Sequence, residues 1–357
     1  MRERFFICMI ILGTVSSSRA QFLKYSNEFL SMGTGARAAG MGNAVVAGTD
    51  DATAAYWNPA GLLNIKDQIQ VALMHNEQFA GIVKQDYGTI AFNPGEKSML
   101  AVSVIRVGVD DIPNTLNLFQ NGQLDYSRLS SFSAVDYGFI GSYAMDPGIK
   151  NLQLGANIKV VRRIVGEFAS AWGFGFDIGA RYAWNKYNFG VVFRDVTTTF
   201  NVWSFSFTDA QKQVLLQTQN KLPQNTLELT APRTILGISR KWEVLKNLIT
   251  VMPEINADLL YGAKYNVLIS SSYFNFDPRI GVELSYKNLV FLRGGAMNFQ
   301  KEKDINGISK TTFMPSLGAG IKINNLVIDY ALANPGSNTS LPYSNIISLR
   351  FGVNRKP

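Results

Sequence analysis

The sequence contains few of the residues from which catalytic and metal sites are made. In 357 residues it has one cysteine, Cys8, and one histidine, His75. A lone histidine has no second histidine or cysteine with which to hold a transition metal, and a histidine-based catalytic triad has equally little support. We therefore predict no enzyme activity, no metal site and no cofactor. We expect His75 to face a loop or solvent.

Long apolar runs are missing too. After the N-terminus no stretch approaches the roughly eighteen consecutive apolar residues of a transmembrane helix. At the N-terminus, Arg2 and Arg4 precede an apolar run over residues 5–15 and a small-residue stretch that ends at Ala20. This order predicts a signal peptide over residues 1–20, cleaved after Ala20. Cys8 lies inside it, so the mature chain would have no cysteine for a disulfide.

Clustered charge is also missing. The formal net charge is +8, but the basic residues are scattered singly, without a basic stripe or an RNA-binding signature. Nucleic-acid binding is therefore not expected. The carboxylate pair Asp50-Asp51 lacks the ligand spacing of a calcium loop. For these two residues the favoured interpretation is a helix cap or structural pairing with Arg37, Lys159 or Arg181.

What the sequence does contain is a long series of alternating segments. From residue 68 onward, apolar residues alternate with glycine and polar residues, as in Phe176, Ile178 and Ala180 against Asp177 and Gly179. A period of two gives a strand one apolar and one polar face. We predict fourteen strands, over residues 68–75, 87–92, 98–107, 133–143, 152–163, 171–183, 186–194, 233–242, 249–258, 279–286, 289–298, 313–323, 325–332 and 345–353.

The connections between these strands alternate between long and short. The longer ones are 76–86, 108–132, 164–170, 195–232, 259–278, 299–312 and 333–344. An even number of antiparallel strands with such connections is typical of a transmembrane β-barrel of the outer membrane, with both termini periplasmic. Aromatic residues near strand ends predict a girdle at the lipid interface: Trp172, Tyr182, Trp184, Tyr286, Phe291 and Tyr330. A periplasmic β-sandwich is the alternative, which the long strands and their glycine-and-charge faces disfavour.

Residues 33–63 fit neither a soluble core nor a membrane strand, because they are rich in glycine and alanine and end in Trp57-Asn58-Pro59. Small residues let a backbone pack in a confined space, and Pro59 pushes Asn58 toward extended geometry. We predict an N-terminal plug over residues 21–66, inside a barrel formed by residues 67–357. The plug residues that we single out are Arg37, Gly40, Gly42, Asp50, Asp51, Trp57, Asn58 and Pro59.

The plug sequence also carries a resemblance. Residues 36–42, the pair Asp50-Asp51 and residues 57–62 resemble the N-terminal region of the PorV/PorQ family, which belongs to the wider group of FadL-type outer-membrane proteins. The detailed match covers roughly thirty residues. It implies a FadL-like barrel of fourteen strands and a part in type IX protein secretion. In that role, extracellular loops would bind secreted cargo with C-terminal sorting domains, or proteins of the translocon or attachment complex.

The alternative function is transport. FadL-type barrels carry hydrophobic small molecules, and this alternative needs an apolar path through the lumen and a plug that can shift. Residues 195–232 suit either function, because aromatic residues on a surface loop are good anchors for a partner. The candidate partner-binding residues there are Phe200, Trp203, Phe205 and Phe207. A lid or a simple extension of the strand is the other interpretation of this segment.

Overall fold

The structure is a computed structural model. It describes residues 26–354 apart from 96, 117, 121–122, 246–247, 262–264, 272, 304–308 and 335–342. The predicted signal peptide and residues 21–25 lie outside the described residues.

Fourteen antiparallel strands form a closed barrel. Closure follows from the first strand, which pairs both with the second and with the last. The strands are β1 Ile69–Gln78, β2 Val83–Gly95, β3 Ser98–Asn114, β4 Ser130–Met145, β5 Leu152–Val165, β6 Ala169–Trp184, β7 Tyr187–Arg194, β8 Arg233–Arg240, β9 Ile249–Tyr261, β10 Phe274–Tyr286, β11 Val290–Lys303, β12 Ser309–Ile323, β13 Leu326–Ala333 and β14 Ser344–Val353. The predicted fold and strand number are confirmed.

The two faces of each strand differ as the alternation predicts. On β6, Trp172, Ile178 and Tyr182 are exposed on the outside, whereas Asp177 and Arg181 are buried inside. Exposed apolar side chains cover the outside of the other strands too. A continuous apolar surface of this kind is suited to lipid, so the barrel spans a membrane. Among the described residues, none of the helices has the length and apolar character needed to cross one.

The edge of the lipid-facing band is visible as two neighbouring rows across β1 to β6. The apolar row, read from strand to strand, is Leu73, Gly88, Val104, Phe139, Val160 and Phe174. The neighbouring row lies two residues along each strand, toward the connection between β1 and β2. It is polar and aromatic: His75, Asp86, Arg106, Tyr137, Arg162 and Trp172. The border between lipid and water therefore runs between these rows.

The girdle prediction was wrong for one residue. Five of the six aromatic residues are exposed, but Phe291 is only 7% exposed. It follows the inward alternation of β11, and its ring lies 5.2 Å from the guanidinium of Arg293. The alternation of β11 therefore turns this ring into the lumen, where it contacts a cation.

The connections differ at the two ends of the barrel. We call the end where β1 starts and β14 finishes the terminal end, and the opposite end the loop end. The predicted connection 76–86 shrinks to residues 79–82, and 164–170 shrinks to 166–168. The polar and charged residues at 75–77 and 84–86 predict a loop, but they lie on strands that continue beyond the lipid band.

The segment between β7 and β8 is structured. It contains short strands Thr199–Phe205 and Leu227–Thr230, and helix Asp209–Gln217. The first short strand pairs with the part of β6 nearest the loop end, so it continues β7 after an interruption at residues 195–198. Asp195 and Thr198 have positive φ, which breaks the strand there. Other short strands are Phe119–Gln120, Gln123–Leu124, Trp242–Val244 and Ile269–Ser270, and Tyr126–Arg128 forms a 3₁₀ turn.

Residues 26–65 lie inside the barrel, because they contact strands on all sides of a closed ring. They form α1 Ala36–Gly40, α2 Ala54–Trp57, and 3₁₀ turns Glu28–Ser31 and Pro59–Asn64. We refer to residues 26–65 as the N-terminal segment. Most of the buried apolar residues of the chain belong to it or to the wall that faces it.

Candidate functional site

Small residues let the N-terminal segment lie directly against the barrel wall. A β-carbon at Gly40 would lie 2.9 Å from the Cα atom of Gly318 on β12, and one at Gly42 would lie 2.7 Å from the backbone nitrogen of Ala296 on β11. Gly42 also has a φ of 60°, a conformation that favours glycine. The segment and the wall therefore meet backbone to backbone.

Trp57, Asn58 and Pro59 form a second place where the N-terminal segment is fixed. Trp57 is 1% exposed, and its Nε1 donates to the carbonyl oxygen of Thr34 at 2.9 Å. Asn58 has extended backbone, and its side-chain amide donates to the carbonyl oxygens of Val46 and of Ala180 on β6. Pro59 then begins the following 3₁₀ turn. The tryptophan fixes the segment to itself, and the asparagine fixes it to the wall.

Arg37 joins three carboxylates in the lumen. Its guanidinium lies 2.6 Å from Asp50, 3.1 Å from Asp51 and 3.0 Å from Glu283 of β10. Asp51 also pairs with Arg350 of β14. Burial would raise the pKa of Asp51, but Arg350 and Arg37 hold that pKa below its ordinary value. The predicted pairing of Asp50 and Asp51 with Arg37 is confirmed.

Arg293 of β11 extends this network along the wall. It lies 2.7 Å from Glu283 and 2.7 Å from Asp329 of β13, and its own side chain is 1% exposed. Sequence reasoning missed Glu283, Arg293 and Arg350 as partners. Their signal was present as charged residues at inward positions of alternating strands.

A second buried cluster closes the interruption of β7. Lys159 of β5 lies 2.6 Å from Asp177 and 2.5 Å from Asp195, and the hydroxyl of Thr199 donates to Asp195. Lys159 therefore pairs with Asp177 and Asp195, and not with Asp50 or Asp51 as one of the sequence-based interpretations had it. Arg181, the other predicted partner, donates to the carbonyl oxygen of Thr49 at 3.4 Å.

A cavity of about 500 Å³ lies between the N-terminal segment and the wall, and residues of the loop end line it. Its volume is within the range of small-molecule sites. The basic lining residues are Lys159, Arg194, Arg233 and Arg279. The acidic lining residues are Glu28, Asp177, Asp195, Asp258 and Asp277. Within the described part of the chain, no three histidine, cysteine, aspartate or glutamate side chains are placed so that they could hold a metal ion.

Several buried polar atoms of the cavity lining have no hydrogen-bond partner among the described residues. They are Thr34 Oγ1, Asn76 Oδ1, Arg194 Nε, Asp258 Oδ1 and Asp277 Oδ1. Sequence reasoning missed this set. For Asp258 alone a signal was available, because Glu254-x-Asn256-x-Asp258 places polar residues at every second position.

His75 lies outside this site. It faces outward on β1, half exposed, with its Nδ1 2.7 Å from Asp86 and its Nε2 3.6 Å from Glu77. Asp86 is also 3.3 Å from Arg106. This arrangement is a surface ion cluster at the edge of the lipid band.

The four candidate partner-binding residues do not share one face. Trp203 is buried, with the guanidinium of Arg163 5.1 Å from its ring. Phe205 stacks on Trp203 at 6.1 Å and on Phe207 at 6.5 Å. Phe200 lies on the opposite, outward face of the short strand and is 39% exposed. We call Trp203, Phe205 and Phe207 the aromatic row.

Comparison with known proteins places the fold. No protein-family profile matches the sequence, and no curated protein matches it. The structure is similar to that of the CymD monoaromatic hydrocarbon channel, with a TM-score of 0.58 and 14% identity, covering 90% of this chain and 98% of that one. The chain has the fold of a FadL-type barrel.

Two toluene transporters show the same likeness. The structure is similar to that of TodX of Pseudomonas putida, with a TM-score of 0.57 and 12% identity, covering 90% of this chain and 98% of that one. For TbuX of Ralstonia pickettii the TM-score is 0.54 and the identity 13%, covering 90% of this chain and 99% of that one. The FadL-like architecture is thereby confirmed. Membership of the PorV/PorQ family stays a prediction.

Proposed function

We propose that this chain is a non-enzymatic outer-membrane barrel that takes a small molecule from its loop end into the cavity above the N-terminal segment. The cavity itself is the observation that carries the proposal, since its volume suits a small ligand. The similar structures described as a hydrocarbon channel and toluene transporters support it. In this proposal the signal peptide directs export, and both termini are periplasmic.

Onward transfer of the molecule requires the N-terminal segment to move. Below the cavity the lumen is filled by this segment, where Ala36, Met41, Ala54 and Leu62 are fully buried. The ion pairs of Arg37 and the contacts of Gly40 and Gly42 oppose such movement. The proposal therefore separates a binding step at the cavity from a gated step through the segment.

The test is recovery of a bound molecule from the native protein. The barrel is extracted from outer membranes in mild detergent, and its small molecules are identified by mass spectrometry. Ala231 lines the cavity, so Ala231→Trp should fill it and remove the molecule. Ala319 is exposed on the outside of β12, so Ala319→Trp is the matched control and should retain it. A wild-type barrel without any specific bound molecule would contradict the proposal.

Type IX protein secretion is the second candidate function. The aromatic row at the loop end and the tightly held N-terminal segment favour it, because they suit a closed platform that binds protein. The partners would be outer-membrane lipid and either secreted cargo with C-terminal sorting domains or translocon or attachment-complex proteins. Nucleic acid is not among them.

This second candidate is tested by co-purification. Native barrel is pulled down and its protein partners are identified by mass spectrometry. A double Phe205→Ser and Phe207→Ser variant should lose them. Phe299 and Phe313 stack at 5.6 Å on neighbouring strands β11 and β12, so their double serine variant is the matched control. Equal recovery of partners by both variants would exclude the aromatic row as the binding surface.

A further inference from the structure

Two acidic side chains of the cavity each have a carboxylate oxygen without a hydrogen-bond donor among the described residues. Asp258 on β9 and Asp277 on β10 lie directly opposite each other, although like charges in such a position repel. Among the described residues, one guanidinium lies within 4 Å of both carboxylates, since Arg279 is 2.6 Å from Asp258 and 3.8 Å from Asp277. Arg233 and Arg194 interact with the pair only electrostatically, at longer range. Asp258 is 1% exposed. The second oxygen of each carboxylate has no hydrogen-bond partner among the described residues.

Among the buried side-chain atoms of the described cavity lining, unmatched acceptors outnumber unmatched donors. The side-chain oxygen of Asn76 is a third acceptor without a partner among the described residues. The side-chain nitrogen of Asn76 donates to Oε1 of Gln85 at 3.0 Å. Arg194 Nε is the unmatched donor, and the hydroxyl of Thr34 can act either way. A buried acceptor without a donor is costly. The cavity is therefore suited to a ligand that donates hydrogen bonds.

The charge of the lining points the same way. Of the described residues, four basic and five acidic side chains line the cavity, a net charge of minus one for this part of the lining. The chain as a whole carries a formal charge of +8. Two of the basic side chains are already engaged, Lys159 with its two aspartates and Arg279 with Asp258. The described lining is therefore slightly negative, in a chain whose formal charge is positive.

A different side of the cavity is apolar. It is lined by Met74 of β1, Met297 of β11, Met314 of β12 and Ile346 of β14. We call these four residues the methionine wall. Methionine side chains are flexible and polarizable, so they adapt to ligands of different shape. Asp258 and Asp277 lie on β9 and β10, next to the methionine wall. One ligand could thus contact both.

We propose that the cavity binds an amphiphilic amine, with its ammonium group at Asp258 and Asp277 and its apolar body against the methionine wall. This inference rests on the proposed small-molecule function and specifies the ligand class. A pure hydrocarbon supplies no donor to the unmatched oxygens of Asp258, Asp277 and Asn76. A carboxylate ligand adds a further acceptor and a further negative charge to the same place.

The experiment compares three probes of similar shape and different charge: 2-phenylethylammonium, 3-phenylpropanoate and ethylbenzene. Their binding to the full, detergent-extracted barrel is measured by equilibrium dialysis near neutral pH. The Ala231→Trp barrel, in the same detergent, gives the background from micelles. We expect 2-phenylethylammonium to bind above this background and the other two probes to bind at least about tenfold more weakly.

Isosteric variants locate the ammonium group. Asp258→Asn and Asp277→Asn should each weaken binding of 2-phenylethylammonium by about ten- to a hundredfold, because each removes a charge-assisted hydrogen bond. Asp136 also faces inward, but it pairs with Arg163 at 2.8 Å and does not line the cavity. Asp136→Asn is therefore the matched control and should bind normally. The heat-modifiable mobility of folded barrels on gels confirms that all variants are folded.

The outcomes separate this inference from the proposed function. If ethylbenzene or 3-phenylpropanoate binds as tightly as the amine, and Ala231→Trp abolishes that binding, the ligand class is wrong while the cavity remains a ligand site. If the amine does not bind above background, this inference is overturned. The proposed function is then decided by the molecule recovered from the native protein.

Discussion

The Nε atom of Arg37 lies 3.0 Å from the Oε2 atom of Glu283, and these two residues are 246 positions apart in the chain. Arg37 belongs to the N-terminal segment and Glu283 to the barrel wall. The same guanidinium holds Asp50 and Asp51. This one side chain therefore ties the fold of the segment to its position in the lumen.

Replacing Arg37 should loosen the N-terminal segment and leave the barrel folded. Arg37→Ala leaves Asp51 and Glu283 with less compensation, and breaking a buried ion pair costs about 3–5 kcal/mol. We expect residues 26–65 to become sensitive to protease, while the barrel keeps its heat-modifiable mobility. Arg128, whose ion pair with Asp125 is solvent-exposed, provides the control Arg128→Ala, which should change neither readout.

Gly42 should tolerate no side chain. In Gly42→Val a β-carbon would meet the backbone of Ala296, and the positive φ would be unfavourable for a β-branched residue. The expected result is displacement of the N-terminal segment, seen again as protease sensitivity. At Gly141 on β4 an added β-carbon would meet nothing within 4 Å, so Gly141→Ala should behave as wild type. If residues 26–65 stay resistant to protease in Gly42→Val, the backbone of β11 can move to make room for the side chain, and the prediction is wrong.

Lys159 should be essential at the interruption of β7. Lys159→Met leaves Asp177 and Asp195 buried without their cation, at a cost of about 3–5 kcal/mol. We expect the temperature of barrel unfolding, followed by gel mobility, to fall. Adding Asp195→Asn should recover part of the loss, because the two sites interact directly. Lys212 pairs with Asp209 in solvent, and Lys212→Met should leave the unfolding temperature unchanged.

Acid should release the N-terminal segment. The pKa of Asp51 is lowered from 3.8 in the folded protein, so the carboxylate stabilises the fold fully above that value. This contribution is lost as the pH falls below about 4 toward the folded pKa. We expect pepsin to cut residues 26–65 increasingly as the pH is lowered from about 4 to 2. Asp51→Asn should remove the part of this pH dependence that comes from Asp51.

Strand number and facing were predictable because lipid and lumen impose opposite polarity on alternate residues. The pairs Arg37–Glu283 and Asp51–Arg350 were not, because they depend on how a ring of strands closes around the segment. Extension of β7 into the following segment was one of the interpretations from sequence, and Thr199–Phe205 does extend it. The break in β7 before this short strand was not predicted. This break depends on the positive φ of Asp195, which a polar stretch of sequence does not reveal.

The cavity was out of reach of the sequence for a related reason. Asp258 and Asp277 are each ordinary inward polar positions on their own strands. Their pairing depends on the register of β9 with β10. That one oxygen of each has no hydrogen-bond partner among the described residues depends on how the surrounding strands and the N-terminal segment meet. Tertiary arrangement, and not residue type, makes them a candidate site.

The border between the rows of Leu73 and His75 has one further consequence. On β3 the outward border residue is Arg106, and the strand continues for eight more residues to Asn114. At about 3.3 Å per residue and a tilt near 40°, this part rises roughly 20 Å beyond the lipid. An epitope tag inserted at Tyr126–Arg128, between β3 and β4, would therefore stand well clear of the headgroups. Antibody labelling of intact cells at that position would reveal which side of the membrane the long loops face.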